Sequence, residues 1–180
     1  MKRILIAFIA CLALTAMTIA QGPANDQMAL GKTTYMTVCF ACHQPTGLGL
    51  PPVFPPIVKS PYVNGSAERF AAMILKGNAG PMTIDGKLYN TIMPGQEVML
   101  SDEKIAAVMT YTRANFGNNA PSVVPEVVKA ARMKFTERKA PWTQPELDAW
   151  KEGGAVATPA AAPTQSAVAT TPPAGENATK

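Results

Sequence analysis

Cys39-Phe40-Ala41-Cys42-His43 is the stretch of this chain whose residue types and spacing can do chemistry. Two thiols three positions apart in a short helical turn can each reach one of the two vinyl groups of a single porphyrin. The imidazole that follows at once then lies beneath the iron. His43 is the one histidine of the 180-residue chain. The pattern therefore implies a covalently attached haem c, with Cys39 and Cys42 forming the thioethers and His43 the proximal ligand.

Other uses of these residues fit less well. A structural zinc site needs four ligands, and the third cysteine, Cys11, lies in a segment expected to be removed. A thioredoxin-like dithiol belongs to an alternating strand and helix pattern, which this sequence does not show.

With His43 on one side, the sixth iron position is open to methionine, lysine, the amino terminus, water or nothing. Of the ten methionines, Met36, Met73 and Met109 fall on expected helices, where methionine is more often core. Met82, after Gly80-Pro81, and Met93, before Pro94-Gly95, fall in expected loops. Met93 is preferred because the Pro-Gly turn constrains its backbone and because it follows His43 by enough chain to reach the other haem face.

The elements that must carry these groups are helical. A helix capped at Asn25 or Asp26 is expected to run through Gly31, Tyr35 and Val38 into the haem motif, with Gly31, Tyr35 and Cys39 on one stripe. From Gln44 to Pro61 the density of proline and glycine excludes helix and strand, while Leu48, Leu50, Val53, Phe54 and Ile57 argue that this loop packs. Ser66 should cap a helix ending at Gly77, and Ser101 another that stops near Gly117. The stretch from Asn78 to Gly95 reads as loop, and no strand pattern of useful length is apparent. A further helix is expected around Pro125 to Phe135, and its basic residues Lys129, Arg132, Lys134, Arg138 and Lys139 read as a solvated face, with docking of an acidic partner as the alternative.

The first twenty residues have the pattern of a cleavable secretory signal: Lys2-Arg3, an apolar run from Ile4, and small residues ending at Ala20. An uncleaved anchor is the alternative. Without Lys2 and Arg3, sixteen basic residues become fourteen against twelve acidic, and the small net charge gives no reason to expect nucleic acid. The expected division is a signal at 1–20, a haem domain at 21–118, a helical extension at 119–152 and a disordered tail rich in alanine, proline and threonine at 153–180. No membrane span is expected in the mature chain, and the expected location is periplasmic.

From about Asn25 to Gly117 the sequence resembles the class I monohaem cytochrome c family. The resemblance rests on Gly31 and Tyr35 in a first helix, the haem motif, a Gly-x-Gly-x-Pro loop at Gly47 to Pro51, Phe54-Pro55-Pro56-Ile57, Tyr89-Asn90, Met93-Pro94 and the helix from Ser101 to Tyr111. It implies an all-α fold wrapped around one haem, with the first and last helices crossing so that Gly31 and Tyr35 meet the face near Val108 and Tyr111. It also implies that the Pro55 carbonyl bonds the free imidazole nitrogen of His43, and it suggests haem propionate contacts from Tyr89 and Asn90. Iron closed on both sides by His43 and Met93 would make the chain an electron carrier rather than an enzyme, passing electrons between a donor and a more oxidising acceptor, either free or as a subunit of a dehydrogenase or terminal reductase. An open sixth position would instead make it a haem enzyme or gas sensor.

Overall fold

The structure is a computed structural model that describes residues 23–150. The expected signal at 1–20 and the expected tail at 153–180 lie outside the described residues. Helix α1, Pro23–Thr34, continues through a π-helical turn at Tyr35–Cys39 into the short helix α2, Phe40–His43. Then come α3 at Pro61–Asn64, α4 at Ala67–Lys76, α5 at Asp102–Ala114, α6 at Pro125–Lys134 and α7 at Gln144–Asp148. Helix α1 is already under way at Pro23, where the described residues begin, ahead of the expected cap on Asn25 or Asp26. Ser66 and Ser101 do cap: each hydroxyl accepts the backbone N–H three residues on, from Arg69 and Lys104, at 3.4 Å.

Helices α1 and α5 cross at Gly31. A Cβ there would stand 2.1 Å from the Ala107 carbonyl oxygen and 2.7 Å from the Cβ of Tyr111, so only glycine admits this approach. One turn further, Tyr35 packs with its ring centre 5.7 Å from Tyr111 and 5.0 Å from Phe116. The main core gathers Tyr35, Leu75, Ile105, Met109, Val123, Val128 and Ala131 among others. Val123, Val128 and Ala131 come from beyond residue 118, so the segment after α5 shares the core of the helices before it. A second cluster joins Tyr62, Ala72, Met82, Ile84, Tyr89, Trp142 and Leu147.

The expectation of plain loop from Asn78 to Gly95, and with it the all-α description, is corrected by two small antiparallel sheets. Strand β1, Gly77–Asn78, pairs with β4, Met93–Pro94; β2, Met82–Ile84, pairs with β3, Lys87–Tyr89. Asp85 and Gly86 both have positive φ, as a two-residue hairpin turn with the right twist requires. Strands of two or three residues are too short to display a period-two pattern. The β1–β4 pair also joins residues far apart in sequence, so no local signal announces it.

Charged side chains stitch the elements together. Arg113, buried and with no carboxylate partner among the described residues, donates to the carbonyls of Val63, Gly65 and Pro121 at 2.8–3.0 Å, and burial lowers its pKa. Arg132 pairs with Asp102 at 2.8 Å and donates to the carbonyls of Glu97 and Leu100. Lys134 pairs with Glu68, and Arg138 with Glu146. Three members of the basic run thus make ion pairs within the molecule. Among the described residues no helix is long and apolar enough to cross a membrane.

Candidate haem site

The π-helical turn of Tyr35–Cys39 widens the helix just where its first thiol is presented. Such bulges recur at functional sites because they re-aim the side chains that follow. The rod ends at His43 because Gln44 takes φ +62°, which stops helical propagation, and the Tyr35 hydroxyl donates to the Gln44 carbonyl at 2.6 Å to fix that corner. The loop then folds back under the imidazole. Gly49 N–H donates to the His43 carbonyl at 3.0 Å, and Ile57 N–H donates to that of Gly47 at 2.8 Å. A side chain at Gly49, which has φ +65°, would run into the carbonyl oxygens of Phe54 and Pro55 at 2.4 and 2.6 Å.

This folded loop brings the Pro55 carbonyl to 3.0 Å from His43 Nδ1. A carbonyl only accepts, so Nδ1 carries the proton and Nε2 keeps its lone pair for a metal. Burial lowers the imidazole pKa, opposed by the bond to Pro55. The bond to Pro55 leaves Nε2 as the nitrogen available for ligation.

Cys39, Cys42 and His43 line one cavity whose other walls come from Phe54, Pro55 and Ile57 in the loop, Val63, Phe70 and Ile74 around α3 and α4, Ile92 and Met93 at β4, and Val108 on α5. Met93, half-buried, therefore faces the same space as the two thiols and the histidine. Met82 lines it too. Strand β2 buries Met82 almost completely, and its sulfur accepts from the Asn78 amide at 3.9 Å. Tyr89 and Asn90 are not brought to the cavity: Tyr89 is buried in the second cluster beside Met82, and Asn90 is exposed.

These residues fit a covalent haem. Apart from the thiols and the imidazole, the walls just named are apolar, as a porphyrin face requires. The Cys39 thiol is pushed up to about 11, by burial first and by Cys42 second, so the pocket disfavours a thiolate. A thioether carries no charge and escapes that penalty. Among the described residues no three of His, Cys, Asp and Glu converge to hold a lone metal ion.

Sequence reasoning gave no sign of two contributors to the site. Asn78 lines the cavity from β1, and an asparagine in an expected loop carries no signal of that. Ile92, beside Met93 at the mouth, was legible only as a neighbour of the candidate ligand.

The cytochrome c family profile matches residues 28–115. Cytochrome c-552 of Thermus thermophilus is 31% identical over 149 residues, a match covering 77% of this chain and 93% of that protein. The cytochrome c subunits of quinone-dependent alcohol dehydrogenases from Gluconobacter oxydans and Gluconacetobacter polyoxogenes are 33% and 32% identical, over 52% and 61% of this chain. The chain spans only 20% and 23% of the length of those two subunits. The thiol pair and histidine on one wall of an apolar cavity, together with a match to nearly the whole of a cytochrome c-552, show that this chain belongs to the cytochrome c family, electron-transfer proteins with a covalently attached haem c.

Proposed function

We propose that this chain is a periplasmic one-electron carrier whose haem is bonded to Cys39 and Cys42 and ligated by His43 and Met93. The observation that carries the reading is a single apolar cavity lined by both thiols, by His43 with its tautomer fixed by Pro55, and by Met93. The haem supplies an iron that changes oxidation state by one electron. His43 and Met93 would hold the iron, the apolar cavity walls would exclude water from the group, and the thioether and the burial would favour the ferrous state. Donor and acceptor would meet the haem edge at a rim of exposed apolar residues, Leu50, Val53 and Ile92. Thr91 Oγ1 donates to the Val53 carbonyl at 2.8 Å and holds the two loops of that rim together. The named likeness to dehydrogenase cytochrome subunits supports a quinone-dependent alcohol dehydrogenase as the class of donor.

Replacing Met93 with alanine should abolish the weak red absorption band of ferric iron bonded to a thioether and open the ferrous iron to carbon monoxide. Met82→Ala should leave the band in place. Loss of the band with Met82→Ala alone would transfer the ligand role to Met82. Carbon monoxide binding by the unaltered ferrous protein would favour an open-site haem enzyme or sensor.

A further inference from the structure

The chain beyond α6 returns to the segment that bears Met93. Trp142 N–H donates to the Gly77 carbonyl at 2.9 Å, and the Trp142 carbonyl accepts from Ala79 N–H at 2.8 Å, a parallel bridge to Asn78. On its other edge β1 pairs with β4, where Asn78 stands opposite Met93. Strand β1 is therefore the middle of three backbone lines, with Trp142 on one side and Met93 on the other. Just past Met93, Gln96 N–H and Glu97 N–H donate to the carbonyls of Ile74 and Leu75, closing the segment onto the end of α4.

Trp142 is itself well anchored. Its indole N–H donates to the Ala72 carbonyl at 3.0 Å, the Arg138 guanidinium lies 3.6 Å from its ring centre, and the rings of Phe135 and Trp150 each stand 5.2 Å away. A two-residue strand pair is marginal alone. With a fixed third line behind it, β1 gives β4 a rigid edge.

We propose that Trp142 is a positioning residue for the distal methionine: its backbone clamps β1 so that β4 holds the Met93 thioether at the iron. This rests on the reading that Met93 is the ligand. Displacement of a thioether by an external ligand requires the segment bearing it to swing away, and the free energy of that local opening sets how readily it happens. Loosening the far edge of β1 lowers that cost. By linkage, displacing Met93 must in turn loosen the clamp.

The test uses the full-length ferric haem protein with imidazole as the competing ligand. Trp142→Pro, which deletes the N–H to Gly77, should raise imidazole affinity about tenfold and weaken the red thioether band. Gln144→Ala should leave the affinity unchanged, because the Gln144 side chain bonds Thr83 of β2 rather than β1. Wild-type imidazole affinity in Trp142→Pro overturns the positioning role. Should Trp142→Pro fail to fold, amide hydrogen exchange of the unaltered protein decides: saturating imidazole should speed exchange at Ala79 and Trp142, and unchanged protection there overturns the proposal. Met93→Ala separates the two readings. A red band that survives it overturns the ligand assignment and this inference together, whereas its loss beside unchanged imidazole binding in Trp142→Pro overturns the clamp alone.

Discussion

At the residue scale the site depends on hydrogen bonds that leave no freedom at the end of the haem motif. His43 is held by a backbone carbonyl, so the identity of residue 55 matters through the loop's path rather than through a side chain. The corner just after it is held by Tyr35, whose hydroxyl donates to the Gln44 carbonyl and whose phenol pKa is raised by burial. Removing that donor leaves a partly buried carbonyl without its partner. Tyr35→Phe should therefore cost about 1–2 kcal/mol in a denaturant titration, with the haem absorption spectrum unchanged. A cost near zero would show that water replaces the hydroxyl at that corner.

Elements matter here through how closely they approach. At the crossing of α1 and α5, two effects of Gly31→Ala oppose each other. Alanine favours the helix by about 0.5–1 kcal/mol, but its Cβ would lie 2.1 Å from a backbone oxygen that belongs to another helix and cannot swing aside. Overpacking of a tight contact costs about 1–3 kcal/mol, and at so short a distance the upper end applies. The variant should lose about 2 kcal/mol of stability, read as a lower denaturant midpoint of the haem protein. A gain in stability would refute the crossing. The π-helical turn acts in the other sense: it admits an extra residue into the rod over the five residues that end at Cys39.

For the whole molecule, the question is which surface meets a partner. The basic run on and after α6 is largely used internally, since Arg132, Lys134 and Arg138 pair with Asp102, Glu68 and Glu146. The exposed apolar residues Leu48, Leu50, Val53 and Ile92 lie on the two loops that border the cavity. Transient redox encounters are small and need a few apolar contacts with weak steering. Leu50→Glu should therefore slow electron transfer to a physiological partner several-fold in stopped-flow measurements, with only modest dependence on ionic strength, while Lys129→Glu on the exposed face of α6 should change it little. The reverse order would move docking to the basic helix.

By itself the sequence determined the covalent chemistry and the helices that carry it. Cys39, Cys42 and His43 are adjacent in the chain, and the caps at Ser66 and Ser101 and the stripe of Gly31 and Tyr35 are local patterns with local causes. The small sheets escaped it. Asp85-Gly86 marks a turn in the sequence, but pairing Asn78 with Met93 depends on backbone bonds between distant residues, and Gly77, where a Cβ would stand 2.1 Å from the Met93 carbonyl oxygen, reads in sequence only as a helix stop. Only the tertiary structure decided that Met82 and Met93 share one cavity, that Tyr89 and Asn90 stay outside it, and that Trp142 lies along the far edge of β1. The segment beyond residue 118 looked like an appendage because its helix reads as basic and amphipathic. Val123, Val128 and Ala131 nonetheless complete the core, because an apolar face does not announce in sequence which neighbour will bury it.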